Sequence, residues 1–492
     1  MLPGHPVLFK STCYVDGRWI HSDSAATVAV VNPADQAVIG HVPMLERVQI
    51  VAAVDAAQRA FDTWRWTPQA VRSAALLRWH ALILRHLDDL AALLSLEQGK
   101  PLAESRGEIR YAASFVEWFA NEAKRVAGRT IPTHIDGAHL GTVMEPVGVA
   151  ALITPWNFPA AMITRKAAAA IAVGCAVVVK PAHETPFSAL ALAQLADEAG
   201  FPAGVFNVVL GEPQMAMETL VGDARVRAVS FTGSTRVGRL VTETAAKAGI
   251  RKIALELGGN APFIVTEDAD LDQAVRIAIG AKFQTSGQDC CAANRIFVAR
   301  PLYEAFVSRY ANAVRELKTG PAFEPGVDVG PLIHQAAFDA TAARVDDARA
   351  RGARIVAGGR PHALGGWFYE PTVIADAAPG MRVVDEENFA PISAVCAFDT
   401  LDEVIEKAND TEYGLAAYVC ATRIDTIFQL VRRLDFAMVS VNGVKFTGAP
   451  IPFGGMKASG LGREGGAEGF EPFTETKYFC LGNLGLPVAA TA

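Results

Sequence analysis

Between about residues 147 and 256 the chain alternates short, wholly apolar runs with helical segments, and this alternation constrains the fold more than any other feature. Residues 149–153, 176–179, 205–210, 226–231 and 252–256 read as strands, with helices such as 188–199 and 235–247 between them. Strands that are apolar on both faces must be covered on both faces, so the pattern predicts a parallel sheet between helical layers. A second such series runs from about 262 to 473. Its strands are predicted at 296–299, 355–357, 392–397, 416–420 and 438–441, and its helices at 270–283, 302–317 and 401–408. The reading is an α/β protein with two parallel-sheet units meeting near Gly258 and Gly259.

The first part of the chain is mainly helical. Asp16-Gly17 between β-formers predicts a small hairpin at 14–19. From 47 to 123 apolar residues recur at three and four, as in Leu76, Leu77, Ile83, Leu84 and Leu87. Pro68 suits the first turn of one of these helices, with Thr67 as its cap. Residues 126–145 are irregular in pattern, and 474–479 reads as a late strand.

With 51% hydrophobic and 20% charged residues the chain can bury a large core and is not disordered. A net charge of −7 without a basic run gives nucleic-acid binding no electrostatic basis. Seven cysteines, odd in number and unpatterned, read as reduced thiols. The stretch 167–179 is too short to span a bilayer, and no signal-peptide pattern opens the sequence. The expectation is a cytoplasmic protein that does not bind membranes.

Three side chains stand in unusual surroundings. Cys290 follows Gly287-Gln288-Asp289 at a loop where a helix has ended, which makes its thiol reachable. Glu256 ends an apolar strand 34 residues earlier and precedes two glycines. That is the carboxyl edge of a parallel sheet, where open α/β folds place their ligands. Asn157, between Trp156 and Phe158-Pro159, lies 133 residues before Cys290. A thiol, a carboxylate and an amide are the groups that covalent catalysis on a carbonyl requires. Each also has a structural reading: a packed cysteine, a solvated strand-end acid and a turn asparagine.

Gly233-Ser234-Thr235-Arg236-Val237-Gly238 leaves a strand and opens a helix, a setting in which backbone amides meet phosphate. Lys180 ends a buried strand and either snorkels to solvent or reaches a cofactor. Gly460-Leu461-Gly462-Arg463-Glu464-Gly465 matches the dinucleotide fingerprint, but no buried strand enters it and no long helix follows, so it reads as a chance match. His183 has no ligand companion, and no metal site is predicted.

Together these blocks resemble the aldehyde dehydrogenase superfamily. Pro155-Trp156-Asn157, Lys180-Pro181-Ala182, Gly233 to Gly238, Glu256-Leu257-Gly258-Gly259 and Gly287-Gln288-Asp289-Cys290 occur in the family's order across nearly the whole chain. The resemblance implies an NAD(P)-binding domain from 1–125 and 146–257, a catalytic thiol domain from 258–473, and a small β oligomerisation arm from 126–145 and 474–492. It implies a homodimer or homotetramer. Cys290 is then the nucleophile, Glu256 the base for deacylation and Asn157 an oxyanion donor. Lys166 falls where the family has a lysine near that asparagine. Ile153, Thr154, Trp156, Lys180, His183, Gly233, Ser234, Leu257, Glu387 and Phe389 fall where the family holds NAD or NADP.

Finer segments, including Met162 to Lys166 and Lys457 to Glu464, are similar to the succinate-semialdehyde dehydrogenase branch. Arg165 then faces the substrate's distal carboxylate, which suits a guanidinium fork. Three departures qualify this. Gln284 stands where the branch has a second arginine, and Lys445 is the candidate to replace that charge. The extra thiol is Cys291, adjacent to the nucleophile, with Ala292 beyond it. His183 replaces a glutamate that would repel a 2′-phosphate, which favours NADP slightly. The expected reaction is oxidation of succinate semialdehyde, with glutarate or 2-oxoglutarate semialdehyde and simple aliphatic aldehydes as alternatives. CoA acylation, thiol hydrolysis and a silent structural role are the rival readings.

Overall fold

The computed structural model describes residues 8–444 and 446–482. The chain opens with the expected hairpin, β1 (Cys13–Val15) and β2 (Arg18–Ile20), turning through Asp16 and Gly17 at φ 53° and 71°. A second hairpin follows, β3 (Thr27–Val31) and β4 (Val38–Pro43). Four helices come next: α1 (Arg47–Trp64), α2 (Gln69–Arg85), α3 (Leu87–Gln98) and α4 (Leu102–Glu122). Pro68 itself occupies the cap position of α2, and no side chain caps that end, so the role expected of Thr67 is not filled. The irregular stretch resolves into two strands, β5 (Thr130–Ile131) and β6 (His139–Pro146).

The alternating segment forms β7 (Val149–Ile153), α5 (Ala161–Val173), β8 (Ala176–Lys180), α6 (Pro186–Glu198), β9 (Phe206–Val208) and α7 (Pro213–Gly222). It ends with β10 (Val226–Thr232), α8 (Thr235–Ala248) and β11 (Lys252–Glu256). Every residue of β7, β8 and α5 is buried, which is why the helix is alanine-rich: small side chains let it lie close between neighbours.

The second series comprises β12 (Ala261–Val265), α9 (Leu271–Phe283), β13 (Ala293–Ala299), α10 (Tyr303–Arg315), α11 (Gln335–Ala350), β14 (Arg354–Ala357) and β15 (Thr372–Ala375). It continues through α12 (Arg382–Asp385), β16 (Ile392–Phe398), α13 (Leu401–Asn409), β17 (Ala416–Cys420), α14 (Ile424–Arg433) and β18 (Met438–Val441). Sequence periodicity misses β12, β15, α11 and α14. The two strands are short and wholly buried, and Pro262 and Pro371 interrupt or adjoin their apolar runs.

Two late strands, β19 (Gly460–Leu461) and β20 (Thr474–Leu481), complete the set. The first sheet runs β19-β11-β10-β7-β8-β9-β1-β2, parallel from β11 to β9. The second runs β14-β15-β16-β13-β12-β17-β18, parallel apart from β14. A third, antiparallel sheet joins β20, β6 and β5. The chain thus crosses from the first sheet to the second between Glu256 and Ala261. It then returns, because β19 pairs with β11 and Ala449, Phe470 and Phe473 pack into the first core. Among the described residues no helix is long and apolar enough to cross a membrane.

Candidate active site

The loop after α9 has a constrained backbone. Thr285 and Ser286 both adopt left-handed φ, at 51° and 57°. Two successive non-glycine residues in that region cost energy, so the surroundings must hold them. Glu104 accepts the Thr285 amide at 2.8 Å, and Ser286 Oγ accepts the Gly330 amide at 2.9 Å. Buried Gln288 accepts the Ile333 amide at 3.0 Å. The loop presents Cys290, half-buried, with Cys291 buried behind it. The two thiols and the Asp289 carboxylate lie within 4.8 Å of one another. Contact with the Cys291 thiol, then burial, then the charges of Asp289 and Glu387 push the Cys290 thiol well up.

The turn after β11 runs directly against this loop. A Cβ on Gly259 would lie 2.2 Å from the Cys290 carbonyl oxygen, so only glycine allows the approach. Glu256, at the end of β11, is 3% exposed. Its Oε2 has no hydrogen-bond partner, and a Cβ on Gly454 would meet its Oε1 at 2.6 Å. Burial, and after it the charge of Glu464, raises the Glu256 carboxyl well above the usual range; Arg165, Lys166 and Arg463 pull the other way.

Glu464 is the main residue that sequence reading overlooked. It lies in the Gly460 to Gly465 stretch dismissed as a chance fingerprint, and it is 5% exposed. The match is indeed not a phosphate loop: it begins with β19, antiparallel to β11. Its turn delivers Glu464 between two cations. Arg165 Nε donates to Glu464 Oε2 at 2.6 Å. Lys166 Nζ donates to Glu464 Oε1 and, at 2.6 Å, to Thr232 Oγ1. Burial opposes the charge on Glu464, but Lys166 and Arg165 hold its carboxyl below the usual range. Burial likewise opposes the charge on Arg165, and Glu464 outweighs it. Lys166 is pushed down by burial in spite of Glu464. Its hydrogen bonds go to Glu464 and Thr232, while the lysine bonded to Asn157 is Lys100, through Asn157's backbone carbonyl at 2.7 Å.

Asn157 lies in the exit from β7 and is 5% exposed. Its side-chain amide donates to the Gln288 carbonyl at 3.1 Å, so it points at the loop that carries Cys290. Arg165 sits one turn into α5, stacked 4.1 Å over the Phe453 ring, and its Nη1 has no hydrogen-bond partner although buried. Gln284 is exposed immediately after α9. Lys445 lies outside the described residues.

The residues expected to hold a cofactor gather at the carboxyl ends of the first sheet. Ile153, Lys180 and Phe231 stand in register on β7, β8 and β10. The Thr154 amide donates to Lys180 O at 3.1 Å, while Thr154 Oγ1 is buried without a partner. Lys180 Nζ makes one hydrogen bond, to Pro181 O at 3.3 Å, and burial pushes the amine down. Gly233 and exposed Ser234 open the 14-residue α8, whose cap is Ser234 Oγ accepting the Val237 amide at 3.4 Å. Leu257 packs beneath that helix against Gly238. His183 is 45% exposed and lies 3.5 Å from Glu184. Trp156 meets the Phe389 ring edge-on at 5.5 Å. Glu387 accepts the Gly259 amide at 2.9 Å, and burial pushes its carboxyl up to about 7. An orphaned hydroxyl, an under-used buried lysine and a helix N-terminus capped by one long hydrogen bond fit a dinucleotide phosphate and ribose.

An α/β fold that brings a thiol, a carboxyl and an amide together where its two sheets meet has the groups that covalent chemistry on a carbonyl requires. Residues 19–479 match the aldehyde dehydrogenase family. The chain is 56% identical to an aspartate-semialdehyde dehydrogenase (non-phosphorylating) of Halomonas elongata, over 97% of each chain. It is 47% identical to a succinate-semialdehyde dehydrogenase [NADP(+)] of Escherichia coli, over 96% of this chain and 98% of that one. A crystal structure of an NADP-dependent E. coli enzyme superposes with a TM-score of 0.96 at 47% identity, covering 97% and 99% of the two chains. The chain belongs to the aldehyde dehydrogenase family and is an NAD(P)-dependent oxidoreductase.

Proposed function

We propose that this enzyme oxidises a short aldehyde carrying a distal carboxylate, succinate semialdehyde first, to the dicarboxylic acid. The observation that carries this reading is Arg165. Its Nε is committed to Glu464, while its Nη1 is buried without a hydrogen bond of good geometry and the Tyr111 hydroxyl lies beside the guanidinium. An unsatisfied guanidinium N–H in a buried site is the complement of an anionic ligand atom. Aspartate semialdehyde is the second reading, favoured by the name of the 56%-identical relative.

In the mechanism, the Cys290 thiol gives its proton to solvent water and the thiolate sulfur bonds to the aldehyde carbon. The oxyanion is received by the Asn157 side-chain amide and the Cys290 backbone N–H. A nicotinamide dinucleotide, held by Thr154, Lys180, Gly233, Ser234, Leu257, Glu387 and the Trp156–Phe389 pair, supplies hydride acceptance when bound. The acyl group then remains on Cys290 as a thioester. Glu256 takes a proton from water as the water oxygen attacks, the carbon–sulfur bond breaks, and the acid leaves. Burial raises the proton affinity that a base needs near neutral pH, and Glu464 raises it further. A homodimer or homotetramer built through the β20-β6-β5 sheet, and NADP preferred over NAD through His183, complete the reading.

The test is the initial rate of NAD(P)H formation with succinate, aspartate and glutarate semialdehydes and with butanal, each with NAD and NADP. Selectivity for the acids over butanal is expected. Equal kcat/KM for butanal would overturn the substrate class and leave the family standing.

A further inference from the structure

We infer that the buried Lys100–Glu108 pair is a positioning device that sets the orientation of Asn157 in the oxyanion site. This rests on the reading of Asn157 as the oxyanion donor. Lys100 follows Gly99, which ends α3 in the left-handed conformation at φ 90°, and precedes the first turn of α4. Nothing in that linker predicts a buried cation. Yet the Lys100 and Glu108 side chains are each 1% exposed, with Nζ 2.6 Å from Glu108 Oε2.

The pair reaches across to the segment between β7 and α5 and holds it at its middle and at its α5 end. Lys100 Nζ donates to the Asn157 backbone carbonyl at 2.7 Å and sits 4.0 Å over the Phe158 ring. Glu108 Oε1 accepts the amides of Ala160 at 3.0 Å and Ala161 at 3.3 Å, at the start of α5. A charge-assisted bond to a carbonyl fixes the plane of that peptide. The direction in which the Asn157 side chain leaves its Cα follows from it. The pair touches Asn157 only through the backbone, so its action is geometric. Geometry is also what an oxyanion donor is sensitive to, since about 1 Å of misplacement costs on the order of 10²-fold in rate.

A purely structural role is the competing account, and it makes a different forecast. A buried ion pair replaced by groups of similar shape is often neutral for stability. The test variant is therefore Lys100→Met combined with Glu108→Gln. It removes both charges together and keeps an amide oxygen for the Ala160 and Ala161 N–H groups. Lys100→Met alone leaves a buried carboxylate uncompensated and serves as the comparison. The measurements are the melting temperature, the cofactor dissociation constant, and the single-turnover rate of NAD(P)H formation. Each is made in the native background and in Asn157→Ala.

The expected result for the double variant is a single-turnover rate lowered about 10²-fold, with cofactor affinity and melting temperature held. In the Asn157→Ala background the same two substitutions should add no further loss, because the group they position is gone. Losses that multiply fully in both backgrounds, or a double variant at native rate, would overturn the positioning role and leave Asn157 where it is. An Asn157→Ala enzyme at full rate would instead overturn the oxyanion reading, and the positioning role with it.

Discussion

Arg165 Nε donates to Glu464 Oε2 at 2.6 Å, with the two side chains 1% and 5% exposed. A residue of the first sheet's buried helix is thus tied to a turn near the end of the chain. The tie joins Arg165, Lys166 and Glu464 into one buried cluster beside Glu256. Replacing Glu464 by Gln leaves two buried cations without their counter-charge, a loss of about 3–5 kcal/mol. It also removes the negative charge that raises Glu256, so the Glu256 pKa falls. The deprotonated carboxylate then persists to lower pH, and the acid limb of the deacylation profile moves downward. A melting curve and a pH–rate profile check both parts; an unmoved limb would separate Glu464 from Glu256.

Glu256→Gln tests the proposed base directly. NAD(P)H formation in the first turnover should stay close to native, while steady-state turnover falls by about 10²- to 10⁴-fold, the range of general-base contributions. Acyl-enzyme on Cys290 should then accumulate and be visible by intact mass. Cys290→Ser should abolish both phases.

Cys291→Ala should make Cys290 more reactive at lower pH. Contact with the Cys291 thiol is the first of the causes that push the Cys290 thiol up. Without it the thiolate forms earlier on the pH scale, and the iodoacetamide alkylation profile of Cys290 shifts to lower pH. A shift upward, or none, would remove the Cys291 contact from the causes and leave burial with the charges of Asp289 and Glu387.

His183→Glu should move cofactor use toward NAD. The side chain at 183 is half in solvent, where a carboxylate repels a 2′-phosphate that lies within a Debye length, about 8 Å at physiological salt, and is partly screened. The ratio of kcat/KM for NADP to that for NAD should fall about tenfold, equivalent to about 1.4 kcal/mol.

Gln284→Arg should sharpen selection for acidic aldehydes. A second guanidinium near the nucleophile loop adds about 1.5–3 kcal/mol of carboxylate binding when it is well placed. The kcat/KM for succinate semialdehyde should rise relative to butanal, and a ratio that does not move would remove position 284 from substrate recognition.

The amino-acid sequence by itself determined the two parallel sheets, because strands buried on both faces must be apolar throughout, as β7 and β17 are; β11 and β18, only partly buried, also fall on their predicted residues. It also singled out Cys290, Glu256 and Asn157, since each sits in a glycine- or proline-marked turn at a strand or helix end. What it did not determine is which charges meet inside. Glu464 reads as part of a glycine-rich surface turn, and Lys100 as a linker residue. Their burial follows from β19 pairing with β11, and from the α3–α4 junction resting on the exit of β7. Only the tertiary structure decides such meetings. A buried ion pair is made by two segments far apart in the chain, and neither segment carries a local pattern that records its partner.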